Sequence, residues 1–283
     1  MNAAAGEHPR PLRALARDAR ALARDARASR YLGWRLFRRD LSAEFDRARL
    51  GWLWNFADPL ILAVVFVFLR GSGAVGLPPG LDVPYPVWVV MGMLSLQAFL
   101  NALTRPLKLI DQSRALRAQV PVKPAALLLA QLLRRGFDAA FFVPVMAAVL
   151  LWTGRWTAAG AAVAIGIYAL IVAAGFGLGV ALVPLNAVFE DVSKAVQAAN
   201  RPLLFLCPTF WYLAADANTL GALSAWNPLA TLMNQMRLAA AGAVPAGEAL
   251  VAVLPVAAAV AVGVPAAALL LHRTMPVLNA RAS

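Results

Sequence analysis

Six apolar runs between Leu53 and Leu271 dominate this chain, with its charges gathered in the gaps between them. The runs cover residues 53–69, 87–103, 136–152, 158–183, 203–213 and 249–271. A helix rises about 1.5 Å per residue and needs about 20 residues to cross a hydrocarbon core of roughly 30 Å. Four runs come close to that length unaided, and the third and fifth reach it by borrowing semi-polar flanks. The expected fold is therefore an all-α integral membrane protein with six transmembrane helices.

Composition points the same way. The chain is 61% hydrophobic and 14% charged, against about 25% charged in ordinary soluble domains, and its mean hydropathy is +0.68. A soluble protein of 283 residues needs far more polar surface to cover its core. The first 50 residues lack the apolar segment of a cleavable signal, so the first span is expected to serve as its own insertion signal. The single Cys207 sits in an apolar run, which excludes a disulfide framework and reads as a small buried hydrophobe.

Orientation follows from Lys and Arg. The segment before the first span holds twelve Arg against six acids, and the second connection holds Arg105, Lys108, Arg114, Arg117 and Lys123 against Asp111 alone. The first and third connections carry little beyond Arg70 and Arg155, and the long fifth one has Asp216 and Arg237. By the positive-inside rule both termini and the even connections lie in the cytoplasm of an inner-membrane protein, which requires an even number of spans. The net charge of +12 is then a topology and lipid-surface signal. It is not the mark of a nucleic-acid partner, because basic and aromatic residues are not interleaved on a soluble domain.

The N-terminal segment divides at residue 28. Residues 14–20 repeat without change as 21–27, placing Arg10, Arg13, Arg17, Arg20, Arg24 and Arg27 on one helical face. This Arg/Ala-rich extension, 1–28, is either a basic helix on anionic lipid or an extension without a dedicated partner. Residues 29–50 make a better amphipathic stripe, with Tyr31, Trp34, Phe37, Leu41 and Phe45 at three- and four-residue spacing. That pattern suggests an interfacial helix leading into the transmembrane domain, 51–273, which a short tail, 274–283, follows. Asp58-Pro59 suits a helix start and suggests a first span that is broken or re-entrant near its beginning.

These residues carry a resemblance. Arg39-Asp40-Leu41, Arg47, Leu50-Gly51-Trp52-Leu53-Trp54 and Pro59-Leu60 resemble the opening segment of type-2 ABC transporter permeases that export polysaccharides such as O-antigen, capsule and teichoic acid. The similarity continues through Tyr85-Pro86-Val87-Trp88 with Gly92, Val120-Pro121, Asn186 to Asp191, and Asn227-Pro228-Leu229 with Arg237. Asp58 stands where the family often has an uncharged amide, and Glu190 where it often has a basic residue. The resemblance implies a homodimer that works with two separate ABC ATPase subunits and exports a lipid-linked glycan. ATP and Mg would sit on those subunits, leaving no cofactor on this chain. It also implies coupling to the ATPase through Arg39, Asp40 and Arg47 of the interfacial helix, Arg114, Arg117 and Lys123 of the second connection, and Glu190 and Asp191.

The residues themselves support that division of labour. No G-x-x-x-x-G-K-[ST] phosphate loop occurs in the chain. Gly175, Gly177 and Gly179 lie inside an apolar run with no strand before them, so they read as close helix packing, extended by Gly160 and Gly166. His8 and His272 are near the termini, and no acid, His or Cys cluster has metal-ligand spacing. Glu190 and Asp191 point about 100° apart on a helix and make no acid/base dyad. Arg134 and Asp138 are spaced to pair, and starting the third span at Gly136 avoids the energy of placing Arg134 deep in lipid, roughly 2.5–3.5 kcal/mol at the centre. Among the aromatics near span ends, Trp88, Phe210, Trp211, Tyr212 and Trp226 are candidates for the wall of a glycan conduit. Their plainer role is the interfacial aromatic belt. Two other functions stay open: a type-2 permease for a drug or lipid-like molecule, and a membrane-bound lipid-linked sugar transferase. The missing acidic or histidine cluster at a membrane face argues against the second.

Overall fold

Ala- and Leu-rich runs without strand alternation fold here as helices, and no strand occurs among the described residues. The computed structural model describes residues 11–47, 57, 61, 64–72, 84–110, 123–154, 157–210 and 226–282. The helices are α1 (Pro11–Arg47), α2 (Tyr85–Leu107), α3 (Pro124–Ala140), α4 (Phe142–Thr153), α5 (Ala158–Val188), α6 (Asp191–Leu206), α7 (Pro228–Ala240) and α8 (Ala246–Ala282). Residues 64–71 add a further helical stretch. Asp58-Pro59 lies outside the described residues.

Helix starts follow local chemistry. Proline occupies the first turn of α2, α3 and α7, where its missing N–H is no loss. Thr157 caps α5 by accepting from the Gly160 N–H at 3.0 Å, and Asn227 caps α7 by accepting from the Leu229 N–H at 3.0 Å. Among the described residues, three helical stretches are long and apolar enough to cross a membrane: Tyr85–Leu107, Ala158–Val188 and Ala246–Met275.

Those three run in the same direction. Along α2 and α5, Gly175 meets Phe99, Gly179 meets Leu103, and Asn186 meets Leu107. Gly177 meets Val264 of α8. Beyond that point Ala267 and Leu271 share a core with Val180 and Val183, whereas Val253 belongs with Ala164 and Ile167 at the other end. Helices α3 and α4 form the return between α2 and α5, and α6 begins the return after α5.

The glycine run sets the helix spacing. A Cβ on Gly175 would lie 2.5 Å from the Phe99 carbonyl oxygen, and one on Gly179 would lie 2.4 Å from that of Leu103. Gly177, on another face, would meet Val264 at 2.6 Å. One alternating glycine run thus seats α2 at backbone contact and a Val264 methyl group of α8 on another face. Gly160 does the same against Ala239, at 2.3 Å from its carbonyl oxygen. Gly166 does not belong in this set, because nothing approaches within 4 Å of its Cβ position.

Two boundaries differ from the sequence reading. Helix α1 is continuous through residue 28, and its buried face is Ser29, Gly33, Leu36 and Phe37 against α3. Tyr31 and Trp34 point away, at 70% and 51% exposure. Helix α3 passes unbroken through Gly136 and turns only at Phe141. Starting a span at Gly136 was expected to leave Arg134 and Arg135 on an interfacial surface. Both are instead buried against protein, because carboxylates from two helices meet them.

Candidate functional site

A charged joint links α1 to the bundle. Arg134 Nη1 lies 2.5 Å from Glu44 Oε2 of α1, and its Nε donates to Asp138 Oδ1 at 2.9 Å. The i,i+4 pair read from the sequence therefore exists, and Glu44 completes it from ninety residues away. Arg135 reaches Asp138 Oδ2 at 2.8 Å. Gln97 and Asn101 of α2 line the same cavity as these four charges. The bond from Arg134 to Asp138 is charge-assisted, and such hydrogen bonds are the strong ones, whereas Arg135 and Asp138 make an ion pair only. The Glu44 side chain is about one-third exposed, which screens its pair with Arg134. Glu44→Gln should therefore loosen α1 by about 1–3 kcal/mol. Limited trypsin digestion checks this, since α1 is rich in arginine. The variant should be cut within α1 faster than the wild type, and equal rates would show that the pair does not hold the helix.

A second anchor holds α1 nearer its start. Lys123 Nζ donates to Asp25 Oδ1 at 2.6 Å, and that hydrogen bond holds the Asp25 carboxyl below its ordinary range. Arg273 Nε of α8 donates to Asp18 Oδ2 at 2.7 Å. Both acids come from the repeated heptad, so the Arg/Ala-rich repeat docks on α3 and α8 of its own chain.

The same end of the bundle carries the turn between α5 and α6. Asn186 Nδ2 donates to the Leu107 carbonyl at 3.0 Å, and Asn186 Oδ1 accepts from the Ser193 N–H at 2.9 Å. One buried amide thus fixes the exit of α2 to that turn. Glu190 and Asp191 are exposed there, and Asp191 pairs with Lys194 at 2.9 Å. Arg39 and Asp40 are exposed on α1 and pair with each other at 2.7 Å. The structure therefore brings Lys123 to α1 and leaves Arg39, Asp40, Glu190 and Asp191 facing outward. Arg114 and Arg117, and the side chain of Arg47, lie outside the described residues.

At the opposite end Arg237 is fully buried. Its Nε donates to the Met233 carbonyl at 3.1 Å, and Nη1 to the carbonyls of Trp88 at 3.2 Å and Thr209 at 3.4 Å. Its Nη2 donates to the Pro208 carbonyl. The guanidinium carbon sits 3.8 Å from the centre of the Trp88 ring. This arginine joins α7, the start of α2 and the 207–210 turn. Gly92 makes room for that turn, since a Cβ there would lie 2.5 Å from the Thr209 carbonyl oxygen.

The candidate conduit aromatics part company. Trp88 exposes no surface in the single chain, so its ring is packing for Arg237. Phe210 stacks on Phe66 at 4.2 Å, and its carbonyl accepts from the Tyr85 hydroxyl at 3.0 Å. Trp226 is 90% exposed beside the α7 cap. Trp211 and Tyr212 lie outside the described residues. Sequence reading missed Glu44, Gln97 and Asn101 as partners. For Gln97 and Asn101 the signal was polarity on an otherwise apolar helix, and Glu44 is one acid among many charges on α1.

Comparison with known proteins places this geometry. The description "ABC-2 type transporter" matches residues 31–240, which is most of the chain. The chain belongs to the ABC-2 type transporter family. The match takes in the α1 face that docks on α3, the Gly175–Gly179 packing and the Arg237 pin, and it ends at the close of α7. Among relatives, the polysialic acid transport protein KpsM of Escherichia coli is 22% identical over 203 residues, 71% of this chain and 78% of that protein. The O-antigen export system permease protein RfbA of Klebsiella pneumoniae is 22% identical over 205 residues, 70% of this chain and 76% of that protein.

Proposed function

We propose that this chain is the transmembrane permease subunit of an ATP-driven exporter that carries a lipid-linked polysaccharide across the cytoplasmic membrane. The observation that carries this reading is membership of the ABC-2 family together with relatives named for polysialic acid transport and O-antigen export. The chain has no phosphate loop, so ATP and Mg belong to a separate ATPase subunit, and the working unit is a homodimer bearing two of them.

The chain crosses the membrane six times with both termini in the cytoplasm. The parallel run of α2, α5 and α8 supports this count, because two returns between them make five crossings and the apolar run 53–69 before α2 makes the sixth. Cysteine labelling tests it cleanly, since the sole native Cys207 is fully buried. Single cysteines at Arg114 and Ser193 should label from the cytoplasm, and those at Ser72 and Thr219 from outside. An Arg114 site reached from outside would overturn the topology.

Coupling runs through the cytoplasmic side. The ATPase subunits close on the exposed charges of α1 (Arg39, Asp40, Arg47), on the second connection (Arg114, Arg117, Lys123) and on Glu190 and Asp191. The Glu44–Arg134 and Asp25–Lys123 pairs transmit the push from α1 into α3, a shear between two packed arrangements. Tyr31 and Trp34, turned away from the bundle, rest in the membrane interface. Trp226 and Phe210, with Trp211 and Tyr212, offer aromatic faces to the C–H faces of sugar rings at the exit.

Purification tests the assignment. The chain alone should hydrolyse no ATP, and should do so only when isolated with a P-loop subunit. Charge reversal at Arg114 and Arg117 should reduce co-purification of that subunit or uncouple hydrolysis from export. ATPase activity intrinsic to this polypeptide would contradict the assignment.

A further inference from the structure

The cavity at the α1–α3 joint is lined by both charged and apolar side chains, and its volume is about 50 Å³. A water needs only about 10–15 Å³ by this measure, so the space holds several waters or one small polar group. Arg135 lines it at 3% exposure, and its Nε and Nη2 have no hydrogen-bond acceptor among the described residues. Nη2 does sit 2.8 Å from Asp138 Oδ2, but at an angle too bent for a hydrogen bond.

The charges do not cancel. Asp138 and Glu44 are both engaged by Arg134, and Arg105 adds a third guanidinium to the field at Arg135. Among the described residues, Arg134 and Arg135 with the nearby Arg105 set three positive groups against the carboxylates of Glu44 and Asp138. Nε and Nη2 form one edge of the guanidinium fork, the edge that takes two oxygens from a single phosphorus or carbon centre. A buried donor left without a hydrogen-bond acceptor is costly, and Nε has neither an acceptor nor an ion-pair contact among the described residues, so a bound acceptor is favoured there. Leu94, Phe137 and Val172 also line the cavity, which suits an oxyanion borne on a hydrocarbon chain rather than a free ion.

The geometry points to a lipid-phosphate site in this cavity, with Arg135 as the bidentate ligand and the Gln97 and Asn101 amides beside it. The phosphate belongs either to a membrane phospholipid or to the polyprenyl phosphate class of glycan carrier. The site stands on membrane embedding alone, so it survives even if the exported substrate is not a glycan.

Native mass spectrometry of the full chain, released from phosphatidylcholine nanodiscs doped with one probe at a time, tests it. The probes are phosphatidylglycerol, a polyprenyl phosphate and inorganic phosphate. The wild type should retain one doped lipid per chain. Arg135→Gln should lower that retention at least tenfold, while Arg135→Lys restores part of it. Retention of phosphatidylglycerol alone assigns the site to structural lipid, and preference for the polyprenyl phosphate assigns it to the carrier. Should Arg135→Gln fail to fold, the wild type still decides the matter. Retention of either doped lipid, displaced by excess inorganic phosphate, supports the site. Three outcomes each overturn it: no retention of either lipid over phosphatidylcholine, retention that Arg135→Gln leaves unchanged, or binding of inorganic phosphate only.

Discussion

Replacing Arg237 by Met should destabilise the protein by about 3 kcal/mol or more, among the largest effects of any single substitution here. Methionine matches the length and apolar stem but donates nothing. The carbonyls of Pro208 and Thr209 would then lose their Arg237 donor beside a buried turn, and the Trp88 ring would lose its cation. Each buried acceptor stripped of its partner costs about 1–3 kcal/mol. Lysine keeps the charge but concentrates it at one point, so Arg237→Lys should fall between wild type and Arg237→Met. Thermal unfolding in detergent, read on the three proteins, checks the order. Equal midpoints would mean the pin is decorative.

The second large effect is steric. Gly179→Leu should prevent α2 and α5 from meeting, because even its Cβ would stand 2.4 Å from the Leu103 carbonyl oxygen. Backbone cannot yield as a side-chain tip does, so the helices must separate and lose the packing that holds them in lipid. A loss of about 3 kcal/mol or more, or failure to accumulate in the membrane, is expected. Gly166→Leu is the control on the same helix, with nothing within 4 Å of the new Cβ. It should stay within about 0.5 kcal/mol of wild type. If both variants behave alike, helix propensity and not close packing explains the glycine run.

These two residues also show what the sequence makes legible. The glycine run is visible as small residues, but its partners Phe99, Leu103 and Val264 are not. The long apolar runs and the proline helix starts follow from local pattern, because each depends on neighbours within a few turns. The Arg134–Asp138 pair is legible for the same reason. Arg237 is not, since its partners are mostly backbone carbonyls from two other segments, and a carbonyl leaves no mark on a sequence. Trp88 looks like a belt residue by position and turns out to be the floor under that arginine. Glu44 reads as one more acid on a charged helix until α3 arrives beside it. The outward charges Arg39, Asp40, Glu190 and Asp191 are equally plain in sequence and structure, because each is exposed and Arg39–Asp40 and Asp191–Lys194 pair with near neighbours.

The central claim is that this chain exports a polymer made elsewhere, and deletion of its gene tests that most directly. Surface polysaccharide and cytoplasmic lipid-linked polymer should be measured together in the deletion strain, with and without the restored gene. Surface glycan should disappear while finished lipid-linked polymer accumulates on the cytoplasmic side. Unchanged surface glycan, or loss of the polymer from both compartments, would contradict it.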